Sequence, residues 1–143
     1  MTARLQASQV IDRPVAQVFH FYADEHVRNH PRWDPDIHLE KEVDAPLAVG
    51  SRIRRRNARS GKPVEGSMEV TGFDRDKSMG MLIHDGSAEM RGLATFEALG
   101  PGQTRITVSL ELPGLDESAD TSFLAGRLQG SLDKVKRLIE SEL

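Results

Sequence analysis

Apolar and polar positions divide the chain into an opening strand, a short helical stretch, a long run of alternation and a final helical stripe. Residues 4–12 alternate and place Leu5, Ala7, Gln9 and Ile11 on one face. Asp12-Arg13-Pro14 then reads as a helix start, a capping carboxylate followed by a proline near the first turn. Val15, Val18, Phe19 and Tyr22 recur at i, i+3, i+4 and i+7, which predicts a short amphipathic helix. The stretch 24–35 is polar and carries Pro31 and Pro35; it reads as a second short helix running into a loop around Trp33.

Six strand-like runs follow, at 36–44, 51–59, 63–75, 77–84, 87–99 and 104–112. Their connectors are short and rich in glycine, proline and aspartate. Asp85-Gly86 reads as a two-residue hairpin turn of the kind that needs positive φ at both central positions. Connections this short force antiparallel neighbours. The last stretch, 118–143, repeats Leu124, Leu128, Leu132, Val135 and Ile139 along one helical face, with Ser131 and Leu138 beside them. At about 1.5 Å per residue this helix reaches roughly 39 Å, long enough to lie across a whole sheet. Gly126 and Gly130 fall on its other side, where each costs about 1 kcal/mol relative to alanine. They fit either a loosely held first half that moves to admit a ligand, or the close approach of a second subunit in a homodimer.

The predicted order is β-α-α-β6-α, a single domain over 1–143 of the α+β class, with about seven strands. This order, together with particular motifs, resembles the START-like (SRPBCC, helix-grip) superfamily and its polyketide cyclase/dehydrase-like members. The motifs are Ile11-Asp12-Arg13-Pro14 with Val18-Phe19, then Ala23-Asp24 leading to Trp33-Asp34-Pro35. Gly50 opening a strand, Gly100-Pro-Gly-Gln-Thr-Arg-Ile-Thr107 and the terminal amphipathic helix complete the set. The resemblance covers the whole chain. It implies a curved antiparallel sheet wrapped around the long helix, a cavity between them that in relatives holds an apolar small molecule, and short helices closing one end. A shared fold carries no particular activity.

Composition narrows the remaining classes. There is no cysteine, so disulfides and thiolate chemistry are excluded. The first residues contain no apolar run of the signal-peptide kind and no stretch is long enough for a membrane span, so a cytoplasmic protein is expected. A net charge of −3 gives no general attraction to nucleic acid. The run Arg52-Ile-Arg-Arg-Arg-Asn-Ala-Arg59 is the exception, but alternation sets Arg52, Arg54 and Arg56 between His38, Glu40 and Glu42 on one side and Glu65 and Glu69 on the other. An acid–base–acid ladder on a solvated face is expected there, and no nucleic-acid partner.

Alternation assigns the inner face to Ile37, Leu39, Val43, Val64, Met68, Val70, Met79, Met81, Ile83, Met90, Ala94, Phe96, Ile106, Val108 and Leu110. Four of these are methionines, whose adaptable side chains suit a pocket for variable ligands or a flexibly packed core. With Ile53 inward, Arg55 and Asn57 point inward too, and Gln9 and Lys41 complete the inward polar set expected from alternation. A buried guanidinium needs a partner: a ligand carboxylate or phenolate, a glutamate at the sheet edge, or a bulge that turns Arg55 outward. His20, His26, His30 and His38 accompany Asp24, Glu25, Asp34 and Asp36; a polar rim around the pocket mouth is expected, with no metal site, because the spacing is not that of a zinc protease. His84 flanks the Asp85-Gly86 turn and reads as a surface residue or one that reaches the pocket mouth. Trp33 is read as a lid or a plug, and Tyr22 as a ligand donor or a core residue.

The candidate ligand-binding set is therefore Tyr22, Trp33, Arg55, Met68, Met81, Met90, Phe96, Leu124 and Leu128. No cofactor is implied and no catalytic residue is assigned. The expected function is binding of a small apolar or aromatic molecule in the cavity between sheet and helix, as a carrier or sensor. The alternatives are a polyketide cyclase- or dehydratase-like enzyme acting on such a ligand, and a protein-interaction module.

Overall fold

The computed structural model describes residues 2–116 and 118–143. Its elements run β1 (Ala3–Ile11), α1 (Val15–Phe19), a π-helical turn (His20–Asp24), α2 (His26–Trp33), β2 (Ile37–Lys41), β3 (Arg52–Asn57), β4 (Val64–Asp74), β5 (Ser78–Asp85), β6 (Ala88–Gly100), β7 (Gln103–Leu112) and α3 (Ser122–Glu142). The seven strands form one curved antiparallel sheet in the order β1-β7-β6-β5-β4-β3-β2. Short connections make β2 to β7 a meander, and β1 returns to close its far edge against β7, from Ala3 opposite Leu112 to Ile11 opposite Thr104.

The inner face holds the alternating residues, with two local departures. Val43 lies beyond the end of β2 and is 73% exposed, so the alternation expected through 44 stops at Lys41, whose Nζ turns to the Ala45 carbonyl at the surface. In β4 the register slips between Val70 and Gly72, leaving Thr71 as the extra residue of a bulge. The slip turns Phe73 inward, where its ring meets that of Phe19 edge-on at 5.3 Å. On the outer face the ladder is present: Arg52 reaches Glu42 and Glu69, and Arg56 reaches Glu65.

Helix starts and turns deviate from expectation in instructive ways. Asp12 does not cap α1: Pro14 occupies that position with no side-chain cap, and Asp12 instead accepts from Gln103 and donates its N–H to Glu140. The π-helical turn after α1 widens the helix, so that Phe21, Tyr22 and Ala23 are all buried in succession. Pro31 lies inside α2 without ending it, and Trp33 is the last residue of that helix, not a loop residue. The β5–β6 turn is Gly86-Ser87, with positive φ (+60°) at Gly86 and not at Ser87, so Asp85 is a strand residue paired with Ala88.

The helix α3 crosses the sheet over β1. Only its second half is sealed, through Leu132, Val135 and Ile139. Gln129 and Lys136 fix it to the Ser8 and Val10 carbonyls at 3.0 and 2.7 Å, and Glu142 pairs with Arg32 of α2. Its first half stands off: Phe123 is 74% and Leu124 37% exposed, and Leu128 is half-buried. The Gly126 and Gly130 positions face open space.

One glycine is required by close approach. Gly66 faces Arg55 on β3 and Asp85 on β5, and a Cβ there would sit 1.8 Å from the His84 carbonyl oxygen. Gly66→Ala is expected to separate β4 from β5 locally and to cost about 1–3 kcal/mol. Urea unfolding measures it; a midpoint equal to that of the parent chain contradicts this reading.

Candidate functional site

The sheet's concave face, α2 and α3 enclose a cavity of about 160 Å³. Its walls are apolar, with Met68, Met79, Met81 and Met90 contributing from β4, β5 and β6, and Leu124 and Leu128 from the raised half of α3. Tyr22, Trp33 and Arg55 also reach it. Eight of the nine expected residues thus meet at one cavity. Phe96 does not: it is buried behind the wall, its ring edge-on to Phe19 at 5.1 Å and to Tyr22 at 5.8 Å.

The polar end differs most from expectation. His26 and His30 are not a rim; they line the cavity, with His26 only 3% exposed. They arrive there because Tyr22, His26 and His30 succeed one another at i+4, and Asn29 and Trp33 share the same buried face of α2. Trp33 stacks on both Tyr22 (5.2 Å) and His30 (5.3 Å) and forms part of the cavity wall. Asn29 holds the turn in place by donating to the Phe21 carbonyl at 2.9 Å.

Hydrogen bonding fixes the protons of this cluster. The Tyr22 carbonyl accepts only, so His26 Nδ1, 2.8 Å away, carries hydrogen. Burial, and after it the nearby His30 and Arg55, push the His26 imidazole well below its usual range, so the ring is neutral. Its Nε2 is then an acceptor, and His30 Nδ1 donates to it at 2.9 Å. Burial also lowers His30, against the opposing pull of Asp34, whose Oδ2 lies 3.9 Å from His30 Nε2. Asp34 pairs with Arg59. Burial opposes the ionisation of Asp34, but the His30 and Arg59 partners outweigh it and hold the carboxyl below the usual carboxylate range. The two histidines therefore spend their facing nitrogens on each other. No group of three His, Asp or Glu side chains among the described residues is placed to hold a metal ion.

Arg55 does point inward and is 4% exposed. Its partner within the protein is not a glutamate but Asp85, through Nε at 2.7 Å and Nη2 at 3.2 Å. Asn57 donates to the same carboxylate at 2.9 Å. Burial raises the Asp85 pKa, and the Arg55 and Asn57 hydrogen bonds more than reverse it. The reach from β3 to β5 passes over Gly66, which has no side chain to block it. Arg55 Nη1 is left with the Met68 sulfur at 3.7 Å, a weak acceptor. Gln9 and His84 stay out of the site, bonded to Asp133 and Glu89.

Tyr22 supplies an open polar group at the buried end of the cavity. The residue is 8% exposed, and its hydroxyl has no hydrogen-bond partner among the described residues. No fully buried side-chain polar atom is left without a partner, so this oxygen is one that opens onto the cavity. Burial alone raises its pKa, and the phenol stays protonated and able to donate.

A family model described as "Polyketide cyclase / dehydrase and lipid transport" matches residues 2–140. Solved structures share the fold across the chain at low identity. Ara h 8.0201 is 15% identical with a TM-score of 0.77, covering 99% of this chain and 100% of its own. A START superfamily protein from Mycobacterium smegmatis is 12% identical with a TM-score of 0.75, covering 98% and 99%. Norcoclaurine synthase from Thalictrum flavum, in complex with dopamine and hydroxybenzaldehyde, is 14% identical with a TM-score of 0.72, covering 100% and 89%. No curated protein sequence matches significantly.

The histidine cluster sets a pH response. His26 and His30 have depressed pKa values, so as pH falls below about 6.5 the unfolded chain takes up protons that the folded chain refuses. Stability is fully present above that pH and falls by up to about 1.4 kcal/mol per pH unit for each histidine. The Asp34 and Asp85 contributions are lost only at more acid pH, as it falls through their depressed values. Thermal unfolding between about pH 7.5 and 5 is expected to show this loss, and His26→Gln to make it shallower. Equal stability across that window would contradict the assignment.

Proposed function

Because this chain belongs to the polyketide cyclase/dehydrase and lipid transport family, we propose that it binds a small apolar or aromatic molecule in the cavity between sheet and α3, with an oxygen of that molecule at the Tyr22 hydroxyl. The observation that carries the reading is the unpaired Tyr22 hydroxyl at the end of a methionine-walled cavity. A volume of about 160 Å³ suits one substituted aromatic ring, since an engineered cavity of about 150 Å³ takes up benzene. The methionines adapt to the shape of such a body. The half-buried and exposed leucines of α3, Leu128 and Leu124, supply the mouth. The norcoclaurine synthase complex with dopamine and hydroxybenzaldehyde supports a ligand of this size in the same fold.

A second reading is acid–base turnover of the bound molecule, of the cyclase or dehydratase type. The observation that favours it is the His26–His30–Asp34 chain inside the cavity wall, a set of titratable groups that binding alone does not require.

Native mass spectrometry of protein purified from its own host, followed by denaturing release, tests both. A defined apolar molecule at near-stoichiometric occupancy is expected, and Tyr22→Phe is expected to weaken its binding by roughly 5- to 10-fold, the value of one hydrogen bond. A ligand recovered chemically altered carries the second reading. A protein that comes back empty contradicts the first.

A further inference from the structure

Charges at the buried end of the cavity are matched within the protein. Arg55 is taken by Asp85, with Asn57 as second donor to the same carboxylate. Arg59 is taken by Asp34, which also faces His30. His26 has both ring nitrogens bonded to protein groups and is neutral. Tyr22 is an un-ionised phenol. From α3, only Arg127 lines the cavity with a charge, and it lies exposed at the mouth against Phe123. The wall thus offers hydrogen bonding at Tyr22 Oη, at the Ser131 hydroxyl and at the half-used Nη1 of Arg55, but no unmatched positive charge inside.

Resting on the binding reading above, we infer that this cavity selects uncharged ligands carrying a hydroxyl or carbonyl oxygen and rejects carboxylates and phenolates, and that Asp85 is the residue that sets this selectivity by occupying Arg55. A buried anion needs a full counter-charge to offset its lost hydration. A guanidinium already forked onto a carboxylate does not supply one, because the incoming anion must share it with Asp85 at close range. A ketone or phenol makes no such demand. It accepts from, or donates to, Tyr22 and leaves the Arg55–Asp85 pair intact. The inward arginine, which in isolation signals an anion site, here signals the opposite. Removing the Asp85 charge frees Arg55 and turns the same cavity into an anion site.

The test uses para-nitrophenol, a single substituted ring that changes charge near neutral pH without changing shape, and whose anion absorbs visible light. Titrated in the presence of saturating wild-type protein, its ionisation midpoint is expected to rise by at least about one pH unit, a tenfold preference for the neutral form. In Asp85→Asn the midpoint is expected to fall below that of the free probe. An unshifted or lowered midpoint in the wild-type protein overturns the selectivity while leaving ligand binding in place. Absence of any binding, read as no displacement of the probe spectrum and no quenching of Trp33 fluorescence, overturns the binding reading and the selectivity with it. Should Asp85→Asn not fold, the wild-type shift decides by itself. A folded Asp85→Asn that keeps the raised midpoint removes the role given to Asp85.

Discussion

A guanidinium taken out of water costs several kcal/mol unless a carboxylate goes with it, and in this fold that requirement reaches across three strands. Arg55 on β3 faces the interior at 4% exposure, and the carboxylate that answers it, Asp85, stands at the end of β5. Between them runs β4, which must present no side chain at that row. Gly66 meets the condition and lets β4 and β5 approach closely enough that even a methyl group would strike the His84 carbonyl. Asn57, two residues along β3, completes the carboxylate's shell. The ion pair therefore specifies the register of three strands at one end of the sheet as well as the character of the cavity they line.

The other end of the cavity is governed by helix geometry. The π-helical turn and α2 carry Tyr22, His26, His30 and Trp33 inward as one stacked cluster, tied to the β4–β5 hairpin through Asp24 and Arg75 and to α3 through Arg32 and Glu142. The helix α3 is anchored over β1 by its second half, and its first half roofs the cavity with half-buried and exposed leucines. The result is an apolar chamber with matched charges beneath and the Tyr22 hydroxyl open to it.

The strands, their antiparallel order and the long terminal helix are legible in the sequence because period-two and period-3.6 patterns survive through most of the strands and along α3. The inward direction of Arg55 follows from Ile53 by the same parity. Its partner does not. Asp85-Gly86 reads as a turn, and a shift of one residue, with Gly86-Ser87 as the turn, makes Asp85 part of β5 and aims its side chain inward. The buried histidines are hidden for a different reason. Residues 24–35 are polar, and polarity argues for a surface; only the recurrence of Tyr22, His26 and His30 at i+4, aligned with Trp33, marks an inward stripe. The bulge at Thr71 that brings Phe73 inside has no clear local signal, and Phe96 has the right parity but sits a layer too deep.

The cavity end of the sheet depends on Arg55 being balanced by Asp85, and a double-mutant cycle of Arg55→Met and Asp85→Leu, read by urea unfolding, measures that dependence directly. Each single variant leaves one buried charge without its partner and is expected to lose about 3–5 kcal/mol, while the double variant, with both charges gone, is expected to recover most of it. Losses that simply add, within about 0.5 kcal/mol, would contradict the central claim.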